Sequence, residues 1–202
     1  AALSEVGYIS KEELKTFEKD GSKLSGHPVK NIKYGIEFST GSLGIGFSIG
    51  IGLALAAKRK KKSNKTYVIV GDGECNEGSV WEAAMFAAAN QQEGLLAIVD
   101  YNGIQAVGRS DEIMGHTSLE EKFRSFGWGT RAINGNNISE ITDTLNSFPF
   151  EQDKPSAIIA NTTGGAGISF MEDQVVWHYR VPPEDELKKA LEELNALPLH
   201  LE

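Results

Sequence analysis

The chain has 202 residues, of which 40% are hydrophobic and 24% charged, proportions typical of a single globular domain with a sizeable core. Its net charge of −8 argues against nucleic acid or an anionic membrane surface as the main partner. The single cysteine, Cys75, excludes an internal disulfide and favours a reducing, cytoplasmic compartment.

Predicted helices and strands alternate along the chain. A capping box of Ser10 and Glu13 begins a short helix over 11–19, and 22–40 is predicted to be loop. Further helices are predicted over 44–62, 79–91, 118–126, 139–147 and 183–196, and strands over 66–70, 95–99, 129–133 and 156–161. The helix over 44–62 is apolar on most faces, which predicts that it is buried. Strands joined by helical crossovers predict an α/β three-layer sandwich with a mostly parallel sheet.

Two apolar runs within 67–108 each end in a turn that carries an oxygen-bearing side chain. The first run, 67–70, stops at Gly71-Asp72-Gly73, and the second, 95–99, stops before Asn102-Gly103. Interpreted as two buried parallel strands, they bring Asp72 and Asn102 to the same carboxyl edge of the sheet. Mg²⁺ prefers oxygen ligands and shares its shell with phosphates, which glycine backbones can approach closely. The pattern therefore predicts a site for Mg²⁺ and a diphosphate.

A family resemblance adds to this prediction. Gly-Asp-Gly followed by an asparagine about thirty residues later resembles the thiamine diphosphate signature. Several stretches are similar to transketolase, namely Gly26-His27-Pro28, 37–58, 71–78, 100–105 and 169–182. They cover nearly the whole chain in the family's order, and the closest resemblance is to the amino-terminal subunit of transketolases split into two polypeptides. The resemblance implies one thiamine diphosphate-binding domain, of the diphosphate-binding type, over 1–202.

The resemblance also implies which residues hold the cofactor and the metal. Mg²⁺ would be ligated by the Asp72 carboxylate, the Asn102 amide oxygen and the backbone carbonyl of Ile104. Gly73 would place its N–H on the diphosphate, and the turn 42–44 would cover the cofactor at a helix start, where anions are favoured. The residues implied to bind thiamine diphosphate are Ser42, Leu43, Gly44, Gly71, Asp72, Gly73, Glu74, Asn102, Ile104 and His178.

Three residues are implied to take part in catalysis. His27 lies in a loop, where a histidine is often only a surface residue, but the family places it at the donor substrate and the reacting carbon. Both protonation states of histidine are accessible near pH 7. His178 matches a position near the diphosphate and the substrate, with a buried structural histidine as the alternative. Glu77 either stabilises the positive end of the next helix or, as in the family, links two cofactor sites at a subunit interface; the second interpretation is preferred.

Other features depart from the family pattern. Ile45 and Gly164 stand where the family usually has Gln and Lys, which puts the ordinary substrates in doubt. The chain has no initiator Met, and the long amino-terminal segment that precedes this region in transketolases, with its active-site histidine, is expected to be absent. Leu201-Glu202 is interpreted as a vector scar, and Cys75 as a packing residue.

These features lead to several functional hypotheses. The glutamate that activates thiamine diphosphate lies in transketolases on a later pyrimidine-binding domain, so a carboxy-terminal partner subunit is expected, in an α₂β₂ heterotetramer. The implied reaction transfers a two-carbon ketol unit from a ketose phosphate to an aldose phosphate. The alternatives are a transketolase-like subunit of a specialised sugar or natural-product pathway and a non-catalytic scaffold that kept the fold. A nucleotide-binding Rossmann domain is disfavoured, because no GxGxxG follows the first strand.

Overall fold

The structure, a computed structural model, describes residues 1–196. Its helices are α1 (Ala2–Glu5), α2 (Lys11–Leu14), α3 (Ile45–Arg59), α4 (Gly78–Ala89), α5 (Ser110–Met114), α6 (Leu119–Ser125), α7 (Ile138–Asn146) and α8 (Glu184–Ala196). Its strands are β1 (Thr66–Gly71), β2 (Leu95–Tyr101), β3 (Ile104–Gln105), β4 (Gly108–Arg109), β5 (Gly129–Asn134) and β6 (Ser156–Asn161). None of the helices in this range has both the length and the apolarity needed to cross a membrane.

Four strands form one parallel sheet in the order β1-β2-β6-β5, and β3 and β4 form a separate antiparallel hairpin. Thr66 lies opposite Leu95 and Gly71 opposite Asp100, while Tyr101 of β2 lies opposite Asn161 of β6. The carboxyl ends of β1, β2 and β6 therefore lie side by side at one edge. This arrangement confirms the mostly parallel sheet, and it brings together the turns that carry the candidate site.

Helices cover both faces of the sheet, as a three-layer sandwich requires. On one face, α3, α4 and α6 pack over the strands in a core that includes Phe47, Val80, Phe123 and Trp128. The rings of Phe47 and Trp128 stack with centroids 5.8 Å apart, and the Trp128 indole N–H donates to Ala84 O at 2.9 Å. On the other face, α7 packs on a smaller cluster that contains Leu96, Ile133, Phe148, Ile158 and Ala160.

Two expectations about burial are wrong. The run 67–70 is not a fully buried strand, because one face of the edge strand β1 is left open and its Tyr67 and Ile69 side chains are 52% and 73% exposed. Val70 points to the opposite face and is buried under the helices. Similarly, α3 buries Phe47 and Ile51 on one face but leaves Ile45 and Leu53 exposed. The apolar composition of a helix or strand does not by itself determine which of its faces pack against other elements and become buried.

Helix and strand ends agree with the predicted bounds within a few residues, with α2 as the largest difference. The Ser10 and Glu13 capping box is present, but α2 ends at Leu14 instead of residue 19. The next N–H groups, of Thr16 and Phe17, bond to carbonyls three residues back, as in tight turns. The β3–β4 hairpin and α5 lie in a segment with no predicted element. Leu201-Glu202 lies outside the described residues.

Candidate functional site

Asp72 lies in the turn that directly follows β1, and its side chain is only 4% exposed. The Asp72 N–H donates to Asp100 O at 3.1 Å, which continues the pairing of β1 with β2 into the turn. Its Oδ2 accepts a hydrogen bond of 2.5 Å from Ser110 Oγ. Burial raises the pKa of Asp72, hydrogen bonds from Ser110 and the Gly73 N–H oppose this, and the nearby Asp100 adds to it. A buried carboxylate in this setting is well suited to a cation, because a positive charge would offset the loss of solvation.

Asn102 lies just beyond β2 and is held on both sides of its amide. Its Nδ2 donates to Asp100 Oδ2 at 3.3 Å, and its Oδ1 accepts the Ile104 N–H at 2.9 Å. Asp100 Oδ1 in turn accepts a hydrogen bond from Thr162 Oγ1 in the loop after β6. Because a carboxylate only accepts hydrogen bonds, the amide atom of Asn102 that faces Asp100 is the donor Nδ2, and Oδ1 faces away from it. The Asn102 oxygen keeps a further lone pair that a metal could use.

Ile104 is buried at the start of the β3–β4 hairpin, next to the loop that follows β6. A Cβ added to Gly164 in that loop would lie 3.2 Å from Ile104 Cδ1, a tight contact. The absence of a side chain at position 164 therefore leaves room for the isoleucine. This contact gives a steric reason for the glycine at a position where the family usually has Lys.

Glu74 joins the turn after β1 to the turn before α3. Its Oε1 accepts the Gly44 N–H at 2.7 Å, and its Oε2 lies 3.4 Å from the Gly71 nitrogen, a longer and weaker contact. Gly44, the N-cap of α3, has φ +80°, a conformation that favours glycine, and an added Cβ would collide with Ser79 Oγ. Ser42 and Leu43 precede this turn and are exposed. The Glu74 carboxylate thus fixes the position of the turn before α3 relative to the end of β1.

Both predicted catalytic histidines are exposed. The His27 ring packs against Gly41, where an added Cβ would be 3.1 Å from its Cγ. His178 ends a 3₁₀ turn, Val175–His178, and is exposed. No hydrogen bond within residues 1–196 joins either imidazole to Asp72 or Asn102. The segment before His178 is instead fixed by Arg109, whose guanidinium forms an ion pair with the Asp173 carboxylate and donates to Asp173 O at 2.7 Å.

Glu77 and Cys75 lie between the candidate site and α4. Glu77 is the N-cap of α4, is exposed, and makes no side-chain capping hydrogen bond. Its position still places a negative charge at the positive end of the helix. Cys75 is 1% exposed, and burial, together with the nearby charges of Glu74 and Asp72, raises the pKa of its thiol to about 12. Both features agree with the interpretation of Cys75 as a packing residue.

The donor atoms of the site suit a hard cation shared with phosphates. Within residues 1–196, no cluster of three or more His, Cys, Asp or Glu side chains is placed to hold a metal. A metal at Asp72 would therefore need amide and carbonyl oxygens, such as those of Asn102 and Ile104, together with oxygens from a ligand. That combination is typical of Mg²⁺ sites, where few protein groups bind and phosphates complete the shell.

Several residues of the site were not predicted from the sequence. Ser110 and Thr162 each donate to a carboxylate from a distant loop, and Arg109 clamps the hairpin to the segment that carries His178. Gln105 lies against Gly73. Gln105, Arg109 and Ser110 belong to the short elements β3, β4 and α5, for which the sequence shows no periodicity, and they meet their partners only through the tertiary fold. The available signals were the position of Gln105 in the family-like stretch 100–105 and the positions of the others within ten residues of Asn102 or just after the last strand.

Comparison with known proteins agrees with this geometry. Residues 2–198 match the family described as "Transketolase, thiamine diphosphate binding domain". The chain is 45% identical over 193 residues to one of the subunits of the apulose-4-phosphate transketolase of Actinobacillus succinogenes, covering 96% of this chain and 70% of the relative. It is 41% identical over 195 residues to the 6-deoxy-6-sulfo-D-fructose transketolase subunit SqwG of a Clostridium species, covering 96% and 71%.

A solved structure gives the same result for the fold. The crystal structure of transketolase from Campylobacter jejuni superposes with a TM-score of 0.84 at 31% identity and covers 91% of this chain. The chain spans only 30% of the length of that protein. The expected fold is thus confirmed, as is the expectation of a transketolase-type enzyme subunit. The chain belongs to the transketolase family, in its thiamine diphosphate-binding domain, and its relatives include the corresponding subunits of split transketolases.

Proposed function

We propose that this chain is the cofactor-binding subunit of a two-component transketolase that uses thiamine diphosphate and Mg²⁺. The observation that carries the proposal is the convergence of Asp72 and Asn102 at the ends of neighbouring parallel strands, with Ile104 starting the adjoining hairpin. The buried Asp72 carboxylate and the oriented Asn102 amide provide the oxygen donors that Mg²⁺ requires. In the same turn, the Gly73 N–H, which now donates to the Asp72 carboxylate, would turn to the diphosphate.

Each part of the site then has a role in binding. Asp72, Asn102 and the carbonyl of Ile104 would hold the metal, and Gly73 the diphosphate, while the turn 42–44 would cover the cofactor. When bound, thiamine diphosphate supplies the chemistry of carbon–carbon bond cleavage and formation. His27 and His178, which are both exposed, would contact the sugar and exchange protons with its hydroxyl groups, since imidazole can accept and donate a proton near neutral pH.

The proposal includes a partner subunit. Two relatives are each named as one subunit of an apulose-4-phosphate transketolase. Such a name implies a complementary subunit, as expected for a site divided between two polypeptides. Glu77 is exposed at the N-cap of α4 and is free to reach an interface. We infer an α₂β₂ heterotetramer in which the carboxy-terminal partner contributes the pyrimidine-binding residues.

The reaction we propose is the transfer of a two-carbon ketol unit from a ketose to an aldose. Two relatives are named for particular sugars, apulose 4-phosphate and 6-deoxy-6-sulfo-D-fructose, so the alternative of a specialised sugar pathway has specific support. Ile45 and Gly164 favour the same alternative, because they differ from the residues usual in the family. A panel of donors that includes xylulose 5-phosphate and both named sugars would distinguish an ordinary ketose phosphate from a specialised one.

The central experiment is calorimetric titration of thiamine diphosphate into the complex with its co-purified partner, with and without Mg²⁺. We expect Mg²⁺-dependent binding that is lost in Asp72→Asn, which removes the charge but keeps the size of the side chain. Asp143→Asn, an exposed substitution on α7, is the matched control and should leave binding intact. Failure of the wild-type complex to bind the cofactor would contradict the proposal and favour a non-catalytic scaffold.

A further inference from the structure

The side-chain amide of Gln105 contains a polar atom that the protein does not satisfy. Its Nε2 is shielded from solvent and has no hydrogen-bond partner within residues 1–196. A shielded donor without an acceptor is unfavourable, and such groups in native proteins are uncommon enough to need an explanation. One explanation is that the acceptor belongs to a ligand.

Gln105 lies directly on the turn that carries Asp72. A Cβ added to Gly73 would be 2.8 Å from Gln105 Cγ, 2.9 Å from its Cδ and 3.2 Å from its Oε1. The backbone of Gly73 has φ −63° and ψ −38°, which any residue adopts. Glycine is therefore needed at position 73 for space, and the Gln105 side chain fills that space. The Gln105 amide therefore lies beside the turn where the proposed function places the diphosphate.

The backbone of Gln105 is firmly placed, so only its side chain is free to adjust. Gln105 pairs with Gly108 in the β3–β4 hairpin. The hairpin is closed by the Ser110 N–H, which donates to Gly103 O at 3.0 Å, and is clamped through Arg109 to Asp173. Rotation about the side-chain bonds would move the amide off Gly73 while the hairpin stays in position.

We propose that Gln105 is a cofactor-binding residue whose Nε2 donates a hydrogen bond to a diphosphate oxygen beside Gly73. The proposal rests on the proposed function, since it takes thiamine diphosphate as the ligand. Diphosphate oxygens are anionic and only accept hydrogen bonds, so they complement an unpaired amide donor. A charge-assisted hydrogen bond to phosphate is stronger than one between neutral groups, which favours the rotated side chain when the ligand is bound.

The test compares two variants of the complex with its native partner. Gln105→Met keeps the length of the side chain and removes the donor, whereas Gln105→Glu keeps the shape and places a negative charge beside the diphosphate. By calorimetry with Mg²⁺, we expect the Kd for thiamine diphosphate to rise about 10-fold or more in the Met variant, and further in the Glu variant. Gln152→Met, an exposed substitution, is the matched control.

Two further probes separate a contact with the diphosphate from a structural role. Inorganic pyrophosphate with Mg²⁺ should lose affinity in Gln105→Met by a similar factor, whereas thiamine without phosphates should bind equally to variant and wild type. Equal loss for all three ligands would overturn the proposal, because it would indicate damage to the site as a whole. Unchanged thiamine diphosphate affinity in Gln105→Met would also overturn it and leave the proposed function intact. No cofactor binding by the wild-type complex would overturn both.

Discussion

Ser110 Oγ lies 2.5 Å from Oδ2 of Asp72 and joins the start of α5 to the turn after β1, across 38 positions of the chain. The bond holds the buried carboxylate in one orientation and opposes the rise in its pKa that burial causes. The Ser110 N–H also donates to Gly103 O, so the same residue closes the hairpin that begins at Ile104. Ser110 therefore links the Asp72 carboxylate to Gly103, which lies between Asn102 and Ile104, the other two residues that we propose as metal ligands.

Removal of the Ser110 hydroxyl should weaken Mg²⁺-dependent cofactor binding without unfolding the protein. In Ser110→Ala the Asp72 carboxylate loses a hydrogen bond to a charged group, which is worth roughly 1.5–3 kcal/mol in typical cases. We expect the Kd for thiamine diphosphate with Mg²⁺ to rise by about 10-fold in the complex, as measured by calorimetry. Ser125→Ala, at the exposed end of α6, should behave like wild type. Equal affinity in both variants would show that Asp72 does not depend on Ser110.

A side chain at position 164 should destabilise the protein through Ile104. Gly164→Ala places a Cβ 3.2 Å from Ile104 Cδ1, so the isoleucine must shift by a few tenths of an ångström. Small overpacking of this kind costs roughly 1 kcal/mol, which chemical denaturation can detect. Ile104→Val removes the Cδ1 atom, so the cost of Gly164→Ala should shrink in that background, a non-additive result in a double-mutant cycle. Additive effects would mean that the two side chains do not interact.

The Cys75 thiol should be unreactive in the native protein. It is 1% exposed, and burial raises its pKa to about 12, so little thiolate forms near neutral pH. At pH 8 we expect a thiol reagent to label the chain at a negligible rate until denaturant is added. Because Cys75 is the only cysteine, one label per chain in denaturant provides the internal control. Rapid labelling of the native chain would instead show that the region around α4 opens readily.

The ion pair between Arg109 and Asp173 should contribute to stability only above acidic pH. The hydrogen bond from Arg109 lowers the pKa of Asp173 in the folded protein below its ordinary value. A lowered folded-state pKa gives stability that is present above the unfolded pKa, about 3.9, and is lost as the pH falls through the folded value. Asp173→Asn should therefore lower Tm slightly at pH 7, because the pair is exposed. The difference from wild type should shrink as the pH falls below the unfolded pKa and vanish once Asp173 is protonated in the folded protein. A difference that stays constant with pH would contradict the ion-pair explanation.

Local features of the sequence were sufficient to predict most of the helices and strands and the parallel topology of the sheet. The bounds of β6 are those predicted, and β1, β2 and α4 differ from prediction by one or two residues, because strand and helix periodicity is set by neighbouring residues. The placement of Asp72 and Asn102 at one edge follows from the parallel topology, which alternating strands and helices already imply. The two-residue strands of the β3–β4 hairpin are too short to leave such a pattern.

The tertiary structure decided which surfaces are buried and which polar groups meet. Ile69 and Val70 are consecutive in one apolar run, but Ile69 lies on a face of β1 that is left open and is exposed, whereas Val70 lies on the face that the helices cover and is buried. The contacts of Ser110 with Asp72 and of Gln105 with Gly73 join the turn after β1 to short elements that are distant along the chain. Short-range sequence patterns encode backbone conformation, which depends on adjacent residues. Contacts between loops depend on how whole elements pack, and only the folded chain determines that.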